Sequence, residues 1–131
     1  HTELYIDTRT VAADAALQRT IAKLPAVSID HLGMHADGLP ALCELVAAGV
    51  RVKATGFGRV DLDPARAIKE ILRVNPAALM VGTDVPSTRA ARPFRDADLD
   101  LIRQTVGEAA GDSAVEDVFW NNAARWYRVA D

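Results

Sequence analysis

Four short apolar runs, ELYI (3–6), AVSID (26–30), VRVKAT (50–55) and ALMVGT (78–83), start at steps of 23, 24 and 28 residues, and a helical pattern follows each one. Parallel neighbours in a sheet need a crossover of a dozen or more residues, which a helix usually supplies. Strand then helix, repeated four times, therefore predicts an α/β protein of four parallel βα units. Such spacing suits a (β/α) barrel or an open doubly wound sheet. An eight-stranded barrel needs about 250 residues, and this chain has 131. Four strands cannot close, so the edges ELYI and ALMVGT are expected to leave backbone groups unpaired. That leaves three arrangements: a piece of a longer barrel, a sheet completed by a second copy or subunit, or an open four-stranded sheet of the flavodoxin type. A start at His1, with no Met and directly before a strand, favours the first.

The helical stretches carry their own signals. AADAALQRTIAKL (12–24) places Leu17, Ile21 and Leu24 on one face, and LPALCELVAAG (39–49) does so with Leu39, Leu42, Leu45 and Val46. PARAIKEILRV (64–74) is preceded by Asp63 as cap and has Pro64 at its first position, where a missing N–H costs nothing. DADLDLIRQTVGEA (96–109) takes Asp96 as its expected cap, and a last helix, SAVEDVFWNNAARWYRV (113–129), follows the turn at Gly111. No low-complexity tract or linker interrupts the chain, and residues 1–131 read as one domain. The polar, Pro-bounded segment PSTRAARPFRD (86–96) falls directly after the fourth strand.

Composition narrows the function. Half of the residues are hydrophobic, enough for a real core. A net charge of −3 with interspersed signs provides no basic stripe for nucleic acid. No apolar stretch reaches about 18 residues, and no basic-then-apolar leader opens the sequence. The single Cys43 has no partner for an internal disulfide and reads as a buried thiol in a reducing compartment. These features predict a cytoplasmic protein that works on small molecules, without membrane or nucleic-acid partners.

In a parallel sheet the carboxyl ends of the strands converge on one rim, where chemistry resides. Reading that rim in order gives Tyr5 and Asp7, then Asp30 and His31, then Lys53 and Arg59, then Asp84. Each also has an ordinary reading: Tyr5 as a packed aromatic, Asp30 as a cap steadying its turn, Lys53 as a side chain snorkelling past the sheet, Asp84 as a turn cap before Pro86. His35 and Asp37 lie in the loop beyond the second strand and are expected to be solvated. A shared site requires His31 and Asp84 to face one cavity, within about 15 Å of each other.

VSIDHLG, VRVKATGFGR, LMVGTDVP and the terminal NNAARWY occur in this order at barrel-like spacing. Together they resemble the C-terminal half of the amidohydrolase-related (amidohydrolase 2) family of TIM-barrel hydrolases, over nearly the whole chain. The resemblance implies half of a (β/α)8 barrel, strands five to eight plus a C-terminal helix, with His31 on the sixth strand and Asp84 on the eighth. The family's usual metal site adds a His-x-His pair and a fifth-strand His. Neither has a counterpart here, the fifth-strand position being Tyr5. Tyrosine at that place, with Arg59 after the seventh strand, is similar to the metal-independent 2-pyrone-4,6-dicarboxylate lactonase branch. That branch reads Trp-Pro-His after the eighth-strand Asp, where this chain has Val85, Pro86, Ser87.

The resemblance implies a hydrolase that opens a lactone or similar ester of a small carboxylated substrate. Asp84 would be the base for water, His31 and Tyr5 would be donors to the carbonyl, and Arg59 would grip a substrate carboxylate with its planar fork. No cofactor is required in this reading. Two alternatives stand beside it. One is a zinc-dependent hydrolase or decarboxylase of the same superfamily in which His31 and Asp84 are two zinc ligands. The other is a non-catalytic half-barrel that docks on a partner. In every case the sheet needs an N-terminal half-barrel or a second copy to cover its edges.

Overall fold

The computed structural model of the chain describes residues 1–129. Four strands, β1 (Thr2–Leu4), β2 (Val27–Ile29), β3 (Arg51–Ala54) and β4 (Leu79–Val81), form one parallel sheet in the order β1-β2-β3-β4. Each strand lies beside its successor, the order of a barrel arc. A flavodoxin-type sheet places its second strand outside its first, so that arrangement is excluded. The result is four adjacent strands of a parallel barrel, half of a (β/α)8 fold.

The helices between strands are α1 (Thr8–Ala12), α2 (Ala15–Lys23), α3 (Leu39–Ala47) and α4 (Pro64–Val74); after β4 come α5 (Asp96–Ala110), α6 (Asp112–Glu116) and α7 (Asn122–Tyr127), with a π-helical turn at Asp117–Asn121 joining the last two. Among the described residues no helix is long and apolar enough to cross a membrane. Consecutive helices α3, α4 and α5 pack side by side and cover the face of the sheet that carries Val27, Ile29, Val52, Ala54 and Leu79. With Leu42, Leu45, Ile68, Ile71 and Ile102, these residues form the buried core.

Several local expectations change. The helix expected over 12–24 is α2 alone, starting at Ala15 because Asp14 accepts the Ala16 and Leu17 N–H groups, and a separate short helix, α1, precedes it from Asp7, which accepts the Arg9 N–H. Asp63 caps α4 as expected, its carboxylate accepting from Ala65 and Arg66. For α5 the acceptor is Asp98 rather than Asp96: it receives the Arg95 N–H at 3.1 Å while Arg92 donates to both of its oxygens, at 2.7 and 2.9 Å. Cys43 is half-buried rather than buried, since it lies at the edge of α3's packed face. The β4 side is also less open than strand count implies. The C-terminal helical segment packs against it, and the Asn122 amide donates to the Leu79 and Pro76 carbonyls at 2.9 and 3.0 Å.

The other face of the sheet carries Glu3, Ser28, Arg51, Lys53 and Met80, as the register requires. The aromatic pair at the end of α7 folds over it. The Arg51 guanidinium lies 5.3 Å from the Trp126 ring centre, the Lys53 ammonium 5.9 Å from that of Tyr127, and the Tyr127 hydroxyl donates to Glu3 at 2.7 Å.

Candidate active site

Past Ile29 the chain leaves the sheet through four consecutive residues in the left-handed region: His31 (φ 53°), Leu32 (52°), Gly33 (73°) and Met34 (74°). For side chains larger than glycine each such residue costs of order 1–2 kcal/mol, and tertiary contacts hold the turn. Thr8, itself fully buried, donates its hydroxyl hydrogen to the Gly33 carbonyl at 3.0 Å. The same backbone feature recurs after β4, where Asp84 has φ 58° and Ser87 and Arg89 follow suit. Apart from Ala26 and Arg128, every non-glycine residue with positive φ among those described lies in these two rim loops. Strain of this kind collects where structure is bent to a purpose.

The two loops turn His31 and Asp84 toward each other. His31 Nε2 and Asp84 Oδ1 are 4.0 Å apart, far inside the separation that one cavity demands. That separation is too long for a hydrogen bond, and a water bonded to both groups would sit beside the line joining them, about 2.8 Å from each. Behind Asp84, Arg59 Nε donates to Oδ2 at 2.5 Å, and the same guanidinium also donates to the Thr88 carbonyl. The loop after β3 and the segment 86–96 are thereby tied together. Ala91 N–H to the Gly58 carbonyl, at 2.9 Å, completes the seam, and Phe94 N–H to Ser87 Oγ, at 3.0 Å, braces the segment 86–96 internally.

An open cavity of about 340 Å³ lies at this rim, lined by Asp30, His31, Lys53, Thr55, Asp84 and Tyr127, with Val81 and Gly82 at its wall. Of the residues assigned from sequence, His31 and Asp84 line it. Tyr5 stands just beyond β1, 62% exposed, with its ring edge-on to His31 (centres 5.4 Å apart, planes at 80°). Arg59 reaches the site through Asp84, with part of its donor fork already committed there. Asp30 is not the cap it resembles: its side chain makes no cap bond, and one oxygen lies 3.5 Å from Lys53 Nζ. Lys53 does more than snorkel, pairing with Glu3 at 2.8 Å. Asp7 turns away to Arg9. Asp37 is exposed, but His35 is not the solvated side chain of a free loop. Its Nδ1 accepts the Asp37 N–H at 3.1 Å and its Nε2 lies 3.3 Å from Asp61, so it stitches two loops together.

Electrostatics separate the members of the cluster. Burial holds the His31 pKa below its ordinary 6.5 against the attraction of Asp84 and Asp30, so the ring is neutral at neutral pH. Burial also works against the Lys53 ammonium, but Glu3, Tyr127 and Asp30 outweigh it and its pKa lies above the usual range. Glu3 is held below the ordinary carboxylate value by the Lys53 and Tyr127 hydrogen bonds.

The donors present do not fit the family's usual metal site. Among the described residues no group of three His, Cys, Asp or Glu side chains is placed to hold an ion. The two that face each other include a carboxylate already bound to a guanidinium, whose positive charge opposes a cation on the same group.

Three residues of the site escaped sequence reading. Thr55 touches His31 twice, its Oγ1 lying 2.7 Å from Nδ1 and accepting the His31 backbone N–H at 3.3 Å. Its only signal is a hydroxyl at the last position of an apolar run. Tyr127 enters from the far end of the chain, and Thr8 anchors the turn from α1. Neither has a local signature.

A parallel strand arc with its ionisable residues at the carboxyl rim defines a protein of the (β/α)-barrel class, with its site where such barrels carry chemistry. The amidohydrolase family profile matches residues 5–129, and the chain belongs to that family. No curated protein matches. Among solved structures, the apo crystal structure of ATU3138 from Agrobacterium tumefaciens is similar in fold, with a TM-score of 0.74 at 17% identity. The match takes in 98% of this chain and 50% of that one, so the chain spans half the length of that protein.

Proposed function

We propose that the chain supplies the carboxylate-and-imidazole half of a cytoplasmic hydrolase that opens a lactone or similar ester of a small carboxylated substrate, in the manner of the 2-pyrone-4,6-dicarboxylate lactonase branch. Family membership supports hydrolysis in general. The 4.0 Å confrontation of His31 Nε2 with Asp84 Oδ1 supports this form of it. Asp84 takes a proton from a water held in the gap as that water attacks the carbonyl carbon. His31, neutral and desolvated, donates a hydrogen bond to the carbonyl oxygen as charge develops there. The C–O bond of the ester then breaks, and the leaving oxygen takes up the proton that Asp84 removed from the water, which restores the carboxylate. Arg59 aligns the base through Oδ2, and its uncommitted Nη1 is the donor left for a substrate carboxylate. Tyr5, beside His31 and open to solvent, is placed to add a second donor once substrate covers it.

The free edge of β1 and the polar inner face are to be covered by an N-terminal half-barrel or by a second copy, which also narrows the open cavity. In this reading no metal or cofactor takes part.

Asp84→Asn is the direct test, with carboxylated lactones as substrates. Asparagine tolerates the φ of 58° about as well as aspartate, so the fold is retained. Loss of a general base lowers kcat about 10²- to 10⁴-fold. An unchanged rate removes Asp84 from the mechanism. A wild-type chain without turnover, alone or with its covering half, leaves the docking module as the reading. Elemental analysis of protein purified without chelator completes the test, since stoichiometric zinc would replace the metal-free mechanism.

A further inference from the structure

A neutral imidazole carries one N–H, and the partner of one ring nitrogen decides which nitrogen holds it. We infer that Thr55 is a positioning residue that fixes His31 as the Nε2–H tautomer, with that hydrogen aimed into the gap before Asp84.

The Thr55 hydroxyl has one hydrogen and two lone pairs. The His31 backbone N–H, at 3.3 Å, takes up one lone pair. The remaining neighbour of the oxygen among the described residues is His31 Nδ1, at 2.7 Å, and Thr55 is only 8% exposed. If Nδ1 carried the hydrogen, the hydroxyl would accept twice and its own hydrogen would have no protein acceptor among the described residues, a loss of about 1–3 kcal/mol for a buried group. Donation from the hydroxyl to Nδ1 satisfies both of these groups and leaves the ring hydrogen on Nε2. The other end of the ring agrees. With Nε2 bare, a lone pair would face the Asp84 carboxylate across 4.0 Å, acceptor against acceptor.

The pair is held rigidly. Gly56 (φ 60°) lies against the ring so closely that a Cβ there would run into His31 Nδ1, and a Cβ at Gly82 would come within 2.6 Å of the Thr55 methyl. Two glycines thus make the space in which hydroxyl and imidazole meet. By binding both the backbone N–H and the ring of one residue, Thr55 also over-determines the left-handed conformation of His31.

The tautomer stands independently of the proposed reaction, and only its catalytic consequence rests on that reading. Long-range 1H–15N correlation spectra of the 15N-labelled chain above pH 7 separate protonated from bare ring nitrogens, and His31→Gln identifies the signals. The expected result is a protonated Nε2 and a bare Nδ1 in the wild type and in Thr55→Ser. In Thr55→Val, of equal shape without the hydroxyl, a mixture or the Nδ1–H form is expected. With a lactone substrate, Thr55→Val is expected to lower kcat about 10- to 100-fold, the usual range for an orienting partner, with KM little changed and activity retained in Thr55→Ser. Nδ1–H in the wild type overturns the inference even if no variant folds, and so does an unaltered tautomer in Thr55→Val. The expected tautomers in a chain that hydrolyses no lactone would overturn the proposed function and leave this inference standing.

Discussion

The two faces of the sheet are built to opposite rules. Toward the helices, Val27, Ile29, Val52, Ala54 and Leu79 are all buried and wholly apolar. On the reverse, the same strands present Glu3, Ser28, Arg51, Lys53 and Met80, covered by Trp126 and Tyr127. Every buried side-chain polar atom without a partner among the described residues belongs to this second face or its cover: Ser28 Oγ, Arg51 Nε and Trp126 Nε1. The first face is finished within the chain. The second is the inner wall of an arc, which in a closed barrel is filled by layers of side chains from all the strands. Stability therefore resides on one face, while the ionisable residues available for chemistry gather on the other and at its rim.

The contrast is broken most sharply at Ile29, which is fully buried in the centre of the apolar face. Ile29→Ala removes transfer free energy and leaves a cavity that the packed helices cannot fill, at a cost of about 2–5 kcal/mol. Urea unfolding at neutral pH measures it. A loss under about 1 kcal/mol would mean that this face is as loosely packed as the reverse.

A pH titration of stability sharpens the comparison next. The apolar face carries no titratable group, so pH acts through the other face and its rim. His31 has a pKa lowered from 6.5 by burial. The unfolded chain therefore binds its proton first, and the contribution of a neutral His31 is complete above pH 6.5 and lost as pH falls through the folded value. Glu3, lowered from 4.5 by Lys53, and Asp98, lowered from 3.8 by Arg92, contribute above those values and lose it as pH falls through their folded ones. Unfolding free energies should thus decline in two stages on acidification. His31→Gln should remove the earlier stage and spare the later. A variant that declines as the wild type does between pH 7.5 and 5.5 would assign the first stage to another group.

How much of this was legible in the sequence follows from how locally each feature is encoded. Strand spacing and apolar periodicity are local, and they predicted the four units, their parallel orientation and the Asp63–Pro64 helix start. The carboxyl-end rule brought His31 and Asp84 to one rim before their separation was measured. What stayed hidden depends on partners distant in the chain. Asp30 and Lys53 look like a cap and a snorkelling lysine until β1 and β3 place Glu3 and Asp30 beside the ammonium. Arg59 looks like a free fork until Asp84 and Thr88 fold over it. Thr55 looks like the end of a strand, and its role requires knowing that His31 bends back on it through a positive φ, a conformation uncommon outside glycine.

The smallest expected effect tests the reverse face most directly. Ser28 and Ile29 are neighbours in one strand, both 0% exposed, pointing to opposite sides. Ser28 Oγ has no hydrogen-bond partner among the described residues, so its burial already incurs a desolvation cost of about 1–3 kcal/mol with nothing in return. Replacement by alanine removes the hydroxyl and little volume. Ser28→Ala should therefore be neutral or stabilising by up to about 1 kcal/mol in the same urea experiment in which Ile29→Ala loses several. Should the alanine variant instead lose more than about 1 kcal/mol, the hydroxyl must bind something on the inner wall, and that face would be as fully satisfied as the one packed against the helices.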